Sequence, residues 1–250
     1  MSARLKAFGL HFFSSVFIIS VFLGMVFFIW FPGPFSEIYN TWDAIKIIVA
    51  VDVILGPLCT LIIFDIRKKT KELKLDMLAI VTLQLIALGW GVHVTYSVRP
   101  VFIVFHQGDF FAFAESDLRI PALTDKSLTP AIWKAPRVVY VKPPKDGQEY
   151  RDIILNQLVG DVHTVHYLTS RYLPIENMKH EDVLKQALKL DAKYRNPDIK
   201  TYVNNFVNEH GGAVADYAFF PVKGGSSNGT LVLQRKTGEI AGYINEVLEY

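Results

Sequence analysis

Cysteine is almost missing from these 250 residues: Cys59 stands alone, so no disulfide can close within the chain and no Cys pair can help hold a metal. There is no HExxH, no G-x-S-x-G elbow and no Walker loop, which removes the usual signatures of zinc proteases, serine hydrolases and phosphate-binding folds. The stretch "KGGSSNG" is rich in Gly and Ser, but no helix with a Lys-Ser or Lys-Thr pair follows it. It reads as a hairpin loop. A surplus of one charge is lacking too. Twenty-six Lys+Arg against 24 Asp+Glu leave a net +2, far from the basic stripe that nucleic acid requires. Neither nucleic acid nor a cofactor is expected.

What the sequence does have is apolar length. The hydrophobic share is 51%, with mean hydropathy +0.25, and three runs in the first hundred residues carry the excess. Ala7–Phe31 has no formal charge, Ala44–Phe64 has only Lys46 and Asp52, and Met77–Val98 has no acid or strong base. About 20 apolar residues cross a bilayer core as a helix. The runs therefore predict three transmembrane helices, over about 7–31, 44–64 and 76–98. The first run ends in bulky "FFIWFPGPF" rather than a small-residue cleavage site, so a retained helix is expected in place of a signal peptide.

Basic residues set the expected orientation. Arg4 and Lys6 precede the first run, and "RKKTKELK" lies between the second and third; the loop between the first and second has Glu37 and Asp43 and no Lys or Arg. The positive-inside rule places the N-terminus in the cytoplasm and everything after Val98 outside. Residues 1–98 are the expected membrane domain. Residues 99–250, which hold 18 Lys+Arg and 18 Asp+Glu, are expected as an extracytoplasmic (in a bacterium, periplasmic) domain without net charge.

That outer part reads as α+β with an antiparallel sheet. "RPVFIVFHQGDFFAF" is a hairpin around Gly108. "RVVYV", Tyr217–Val222, Thr230–Gln234 and Ile240–Ile244 are further strands, the last two joined by the tight turn "RKTGE". Helical spacing predicts helices over Gly147–Leu168, Asn177–Tyr194 and Asp198–His210, the third closed by Gly211.

Candidate functional residues fall into two groups. In "AVDVILGPLCTLIIF" the acid Asp52 and the helix breaker Pro57 interrupt an apolar span. Asp52, Gly56 and Thr60 recur at i, i+4 and i+8, one narrow face suited to helix–helix contact because small residues permit close approach and polar ones bond across it. An ionised, unpaired acid at that depth costs at least about 2.5 kcal/mol, so it should be protonated or bonded. Counting about 1.5 Å per residue from the cytoplasmic ends puts Asp52, Ser20 and Gly89 at about 18, 20 and 21 Å. Ser20 and Gly89 are thus its expected neighbours, whereas His11, Gln84 and His93 fall at other depths. Three functions remain open for this face: internal packing, docking of another membrane helix, or proton passage. The second group is "DVHTVH". His163 and His166 stand at i, i+3, but Asp161 points elsewhere, and zinc needs three or four ligands. They are weak metal candidates, and no metal is expected.

Four segments resemble a known family. "RLKAFGLHF", "WFPGPF", "VDVILGPLCTLIIFD" and "RPVFIVF" occur in the order and spacing found in the type IV pilin accessory proteins, the TfpX/TfpZ family, over chiefly residues 4–113. In that family an acidic–basic pair often follows the strand after the third helix; here Asp109 takes the acidic place and Phe110 stands in the basic one. The resemblance implies a non-enzymatic inner-membrane protein associated with the major type IV pilin, acting as chaperone or assembly modulator. The alternatives are an envelope sensor that binds a small ligand and signals through a partner, and an envelope hydrolase, which would require zinc on the outer domain.

Overall fold

The computed structural model describes residues 3–118, 120–159, 165–189, 197–225 and 227–248. Among them, three helices are long and apolar enough to cross a membrane: Ala3–Trp30, Thr41–Ile63 and Thr70–Ser97. The first consists of α1 (Ala3–Met25) and a π-helical turn, Val26–Trp30. The second is α3 (Thr41–Val49), a π turn over Ala50–Leu55, and α4 (Gly56–Ile63). The third, α5 (Thr70–Ser97), starts six residues before the expected helix at residue 76. That extension is polar and carries Lys71, Glu72 and Lys74.

Between the first two long helices, "WFPGPF" is more than a connection. Gly33 takes φ +59°, which a β-carbon would oppose, and the chain folds into the single-turn helix α2 (Phe35–Ile38). Asn40, at φ 46°, then reverses the chain and bonds Asp43 Oδ2 at 2.6 Å to open α3. Phe31, Phe35 and Ile38 are buried in the same apolar cluster as Ile103, Phe105, Phe110, Phe220 and Val222 from the sheet. The elbow therefore plugs the helical bundle onto the sheet. Ser227 reinforces the joint: its backbone N–H and Oγ both donate to Ile38 O, at 3.1 and 3.2 Å.

The sheet has seven strands: β1 (Pro100–His106), β2 (Asp109–Ala114), β3 (Arg137–Val141), β4 (Tyr172–Pro174), β5 (Tyr217–Gly224), β6 (Gly229–Gln234) and β7 (Ile240–Ile244). Their order is β4-β3-β1-β2-β5-β6-β7. The hairpin β1–β2 forms as expected, around Gln107 and Gly108 at φ 52° and 89°, the two positive values that a two-residue type I′ turn demands. The expected antiparallel sheet is found in the main, with two parallel pairings within it. β3 joins β1 and β5 joins β2 in parallel, while the four other pairings are antiparallel. Each parallel pair spans a long crossover, which parallel pairing requires.

Strand direction fixes which end of the sheet meets the helices. β1 starts three residues after α5 ends and runs about 20 Å away from it, at roughly 3.3 Å per residue. β2 returns, β5 runs parallel to β2 toward the bundle, and β6 leaves again. The turns at Gln107–Gly108 and around Gly238 are accordingly distal, and the β5–β6 loop is proximal.

The expected helices are shorter than their periodicity. α6 (Gly147–Val159) is followed, past residues outside those described, by a 3-10 turn at Val165–Tyr167. The stretch expected from Asn177 to Tyr194 is helical only over α7 (His180–Leu184) among its described residues. There the Leu188 amide donates to Phe219 O at 2.9 Å, which diverts the chain onto the sheet. α8 (Pro197–His210) ends at Gly211, φ +80°, as expected of a left-handed C-terminal cap.

Candidate functional site

Asp52 sits in the π turn Ala50–Leu55, a widened winding seen mostly as single turns at functional sites. Such a turn also eases the approach of Pro57, whose missing N–H and ring otherwise break an α ladder. Asp52, Gly56, Pro57 and Thr60 are all buried and share the face turned toward the other two helices. Gly56 is small for a specific reason, since a β-carbon there would collide with Gln84 Nε2. With only hydrogen in that place, the Gln84 amide reaches across and donates to Asp52 O at 3.1 Å. Below it, His11 Nδ1 and Thr60 Oγ1 share a hydrogen bond of 2.6 Å. A continuous polar seam thus links α1, α4 and α5.

Ser20 and Gly89 are not part of it. Both are exposed, and a β-carbon at Gly89 would meet nothing within 4 Å. The reason is the low start of α5. Measured from Thr70 rather than from residue 76, every depth on that helix rises by about 9 Å, which lifts Gln84 to the level of Asp52 and carries Gly89 past it. Ser20 faces away because Ser15, Ile19 and Phe22 form the buried line of α1. The signal that could have found Gln84 and His11 was present: they are polar residues in apolar runs.

The seam is incomplete in one respect. Asp52 is 5% exposed, yet its Oδ2 has no hydrogen-bond partner among the described residues. It borders a cavity of about 180 Å³ whose polar lining is His11, Ser14, Ser15 and Gln84, closed by Ile18, Ile19 and Leu88. A buried acceptor without a donor is expensive, more so where no water competes. The cavity lies between α1 and α5, so a donor carried by another helix could enter from that side. At the end remote from the sheet, Arg4 and Arg67 both hold Asp65, at 2.9 and 2.8 Å, and Lys68 holds Asp76 at 2.6 Å.

A second constellation lies on the sheet. Asp109 accepts from Lys223 Nζ at 2.7 Å, a basic group that comes from the neighbouring strand β5 and not from position 110, where Phe110 stands. Beside this pair His166 stacks on Phe111, ring centroids 3.9 Å apart, with His106 at 6.1 Å. Burial first, then the positive charge of His106 and Lys223, push the His166 imidazole down to about 4; burial also lowers His106. His163 lies outside the described residues. Among the described residues no three His, Cys, Asp or Glu side chains converge on a possible metal position. His166 is an aromatic-stacked packing residue in a 3-10 turn.

Comparison with known proteins agrees with the N-terminal pattern. The family model for the fimbrial assembly protein FimB matches residues 1–40, which are the first long helix and the elbow. Three curated proteins of Dichelobacter nodosus, fimbrial assembly proteins of serogroup I, of serogroups C1 and C2, and of serogroup E1, are each 31% identical over 118 residues, 47% of this chain. The aligned stretch spans 46% of the serogroup I and E1 proteins, about half their length, and 90% of the C1 and C2 protein. No solved structure matches.

Proposed function

The chain belongs to the fimbrial assembly protein family, and from that membership we propose that it is a non-enzymatic assembly factor of the type IV pilus, a membrane chaperone for the major pilin. The three helices span the bacterial inner membrane, with the N-terminus in the cytoplasm and the sheet in the periplasm. The basic cluster around Arg4, Arg67, Lys68 and Lys69 at one end of the bundle supports that orientation. The pilin's membrane helix docks between α1 and α5, and its periplasmic part meets the sheet.

One observation carries this reading: the unpartnered Oδ2 of Asp52 beside a polar cavity between two helices. In hydrocarbon such an acceptor gains from any donor that a neighbouring helix supplies. Photocrosslinking tests it. A benzophenone amino acid at Leu85, which lines the cavity, should yield an adduct with the major pilin in piliated cells. No adduct, with normal pilus assembly, sinks the docking reading. Asp52→Leu should insert well yet lower pilin or pilus levels; full piliation would remove Asp52 from the account.

A second reading, an envelope sensor, has one feature in its favour. A cavity of about 590 Å³ lies between the sheet and α7, lined by Ile103, Phe110, Leu231 and Leu233 with His180 at its rim. Its size and apolar floor suit a small apolar ligand. Native mass spectrometry showing a bound small molecule, with no pilin captured, would turn the assignment this way.

A further inference from the structure

The segment from Pro130 to Pro136 carries two exposed apolar residues in sequence, Ile132 and Trp133, the latter 71% exposed. Single apolar residues on a surface need no explanation. This pair is set apart by where the fold holds it. The Lys134 amide donates to Ala131 O at 3.0 Å, closing a tight turn with Ile132 and Trp133 as its two central residues. The turn is fastened to the helices: Trp30 Nε1 donates to Ile132 O at 2.9 Å. Trp30 is the last residue of the first long helix, fully buried against Phe22 and Tyr96. The segment leads directly into β3, which starts beside Phe102 at the proximal end of the sheet. At the same end of the bundle stand Phe28, 81% exposed, and Trp42, its ring tilted against Phe27 with centroids 4.7 Å apart.

We infer that the Ile132–Trp133 turn is an interfacial anchor, inserted into the periplasmic headgroup layer of a phospholipid bilayer beside the mouth of the first helix. The inference rests on the membrane placement of the three helices. Given that placement, the hydrogen bond to Trp30 sets the turn at the depth where a helix leaves the hydrocarbon. Tryptophan favours that layer because its ring is apolar and its N–H polar. Exposed Lys134 beside it can reach lipid phosphate while its stem stays among the acyl carbonyls. Phe28 and Trp42 extend the same belt around the bundle. Two fastenings to the bilayer, the β1–α5 junction and this turn, would stop the sheet from swivelling about the end of α5.

The test uses the full chain carrying Cys59→Ser, reconstituted in vesicles of phosphatidylcholine and phosphatidylglycerol. A nitrobenzoxadiazole label is placed by Trp133→Cys, by Lys236→Cys on the distal β6–β7 turn, or by Leu83→Cys on the exposed face of α5. The label at position 133 should lose fluorescence to lipids with a nitroxide near the carbonyl end of the acyl chain. It should lose less to nitroxides near the methyl end, and resist aqueous iodide. Position 236 should be open to iodide alone, and position 83 should be quenched from within the chains. A label at 133 that behaves like 236, while 83 stays lipid-quenched, overturns the anchor. Loss of lipid quenching at 83 overturns the membrane placement, and the anchor with it.

Discussion

Replacing Gly225 by alanine tests how firmly the sheet is seated on the helices. Gly225 has φ +62°, and a β-carbon there would stand 2.9 Å from Ile38 O and 3.0 Å from the Tyr39 ring. Left-handed backbone costs a non-glycine residue about 1–2 kcal/mol. The closer cost is displacement, because Ile38 O is also the acceptor for both Ser227 N–H and Ser227 Oγ. If the loop lifts to make room, both bonds are lost, each with a net value of about 0.5–1.5 kcal/mol. The combined loss is about 2–5 kcal/mol from the local opening free energy of the joint. At about 1.4 kcal/mol per tenfold, the Ser227 amide should exchange roughly 30- to 4000-fold faster in hydrogen–deuterium exchange in detergent. The Phe111 and Val232 amides, in mid-sheet, should keep their rates. Unchanged exchange at Ser227 would refute the claim that the β5–β6 loop is clamped by the elbow. Equal acceleration throughout the sheet would show that the joint and the sheet open as one unit.

Two further perturbations address the interior. Gly56→Ala should expel the Gln84 amide and lower thermal stability in detergent. Because the obstacle is the Gln84 side chain, Gln84→Ala should recover much of that loss in the double variant; additive losses would separate the two residues. On the sheet, the His166 pKa is held near 4 against an ordinary value of 6.5, so the folded state favours the neutral ring. The associated stability is complete above pH 6.5 and is lost as pH falls from there toward 4, by up to about 1.4 kcal/mol per pH unit. A histidine carbon NMR titration should show its midpoint well below 6, and Lys223→Met should raise it; a midpoint at 6.5 would contradict the stacked, half-buried setting.

The parts legible in the sequence are those governed by local pattern. Three apolar runs become three helices, the Gly108 and Gly238 turns become hairpins, and Gly211 closes α8. Coarse strand positions follow from short β-rich runs between turn signals. What pattern could not supply is pairing across distance. Nothing local tells β3 to join β1 in parallel, or Lys223 to answer Asp109 from 114 residues away. The seam shows the same division. Asp52, Gly56 and Thr60 are visible as one face because they share a helix. Their partners His11 and Gln84 depend on where two other helices begin, and the polar first turns of α5 do not announce themselves in hydropathy. The elbow escapes the sequence for a related reason: "WFPGPF" looks like a loop by composition, and only the apolar cluster it joins shows that it is an interior piece.

The π turn at Ala50–Leu55 also fixes the winding of the whole second helix. Its buried line runs Thr41, Ile45, Ile48, Asp52, Gly56, Thr60, five steps over nineteen residues, where five α turns take eighteen. The widened turn absorbs the extra residue and keeps both halves facing inward. Wound as a regular α-helix, the same nineteen residues would turn one half by about 100° against the other. Either the isoleucines or the acid would then point outward. Removing one residue from the turn would instead leave eighteen, which a regular α-helix winds with both halves still facing inward. In this helix, length acts as an angular setting, and one residue is its smallest step.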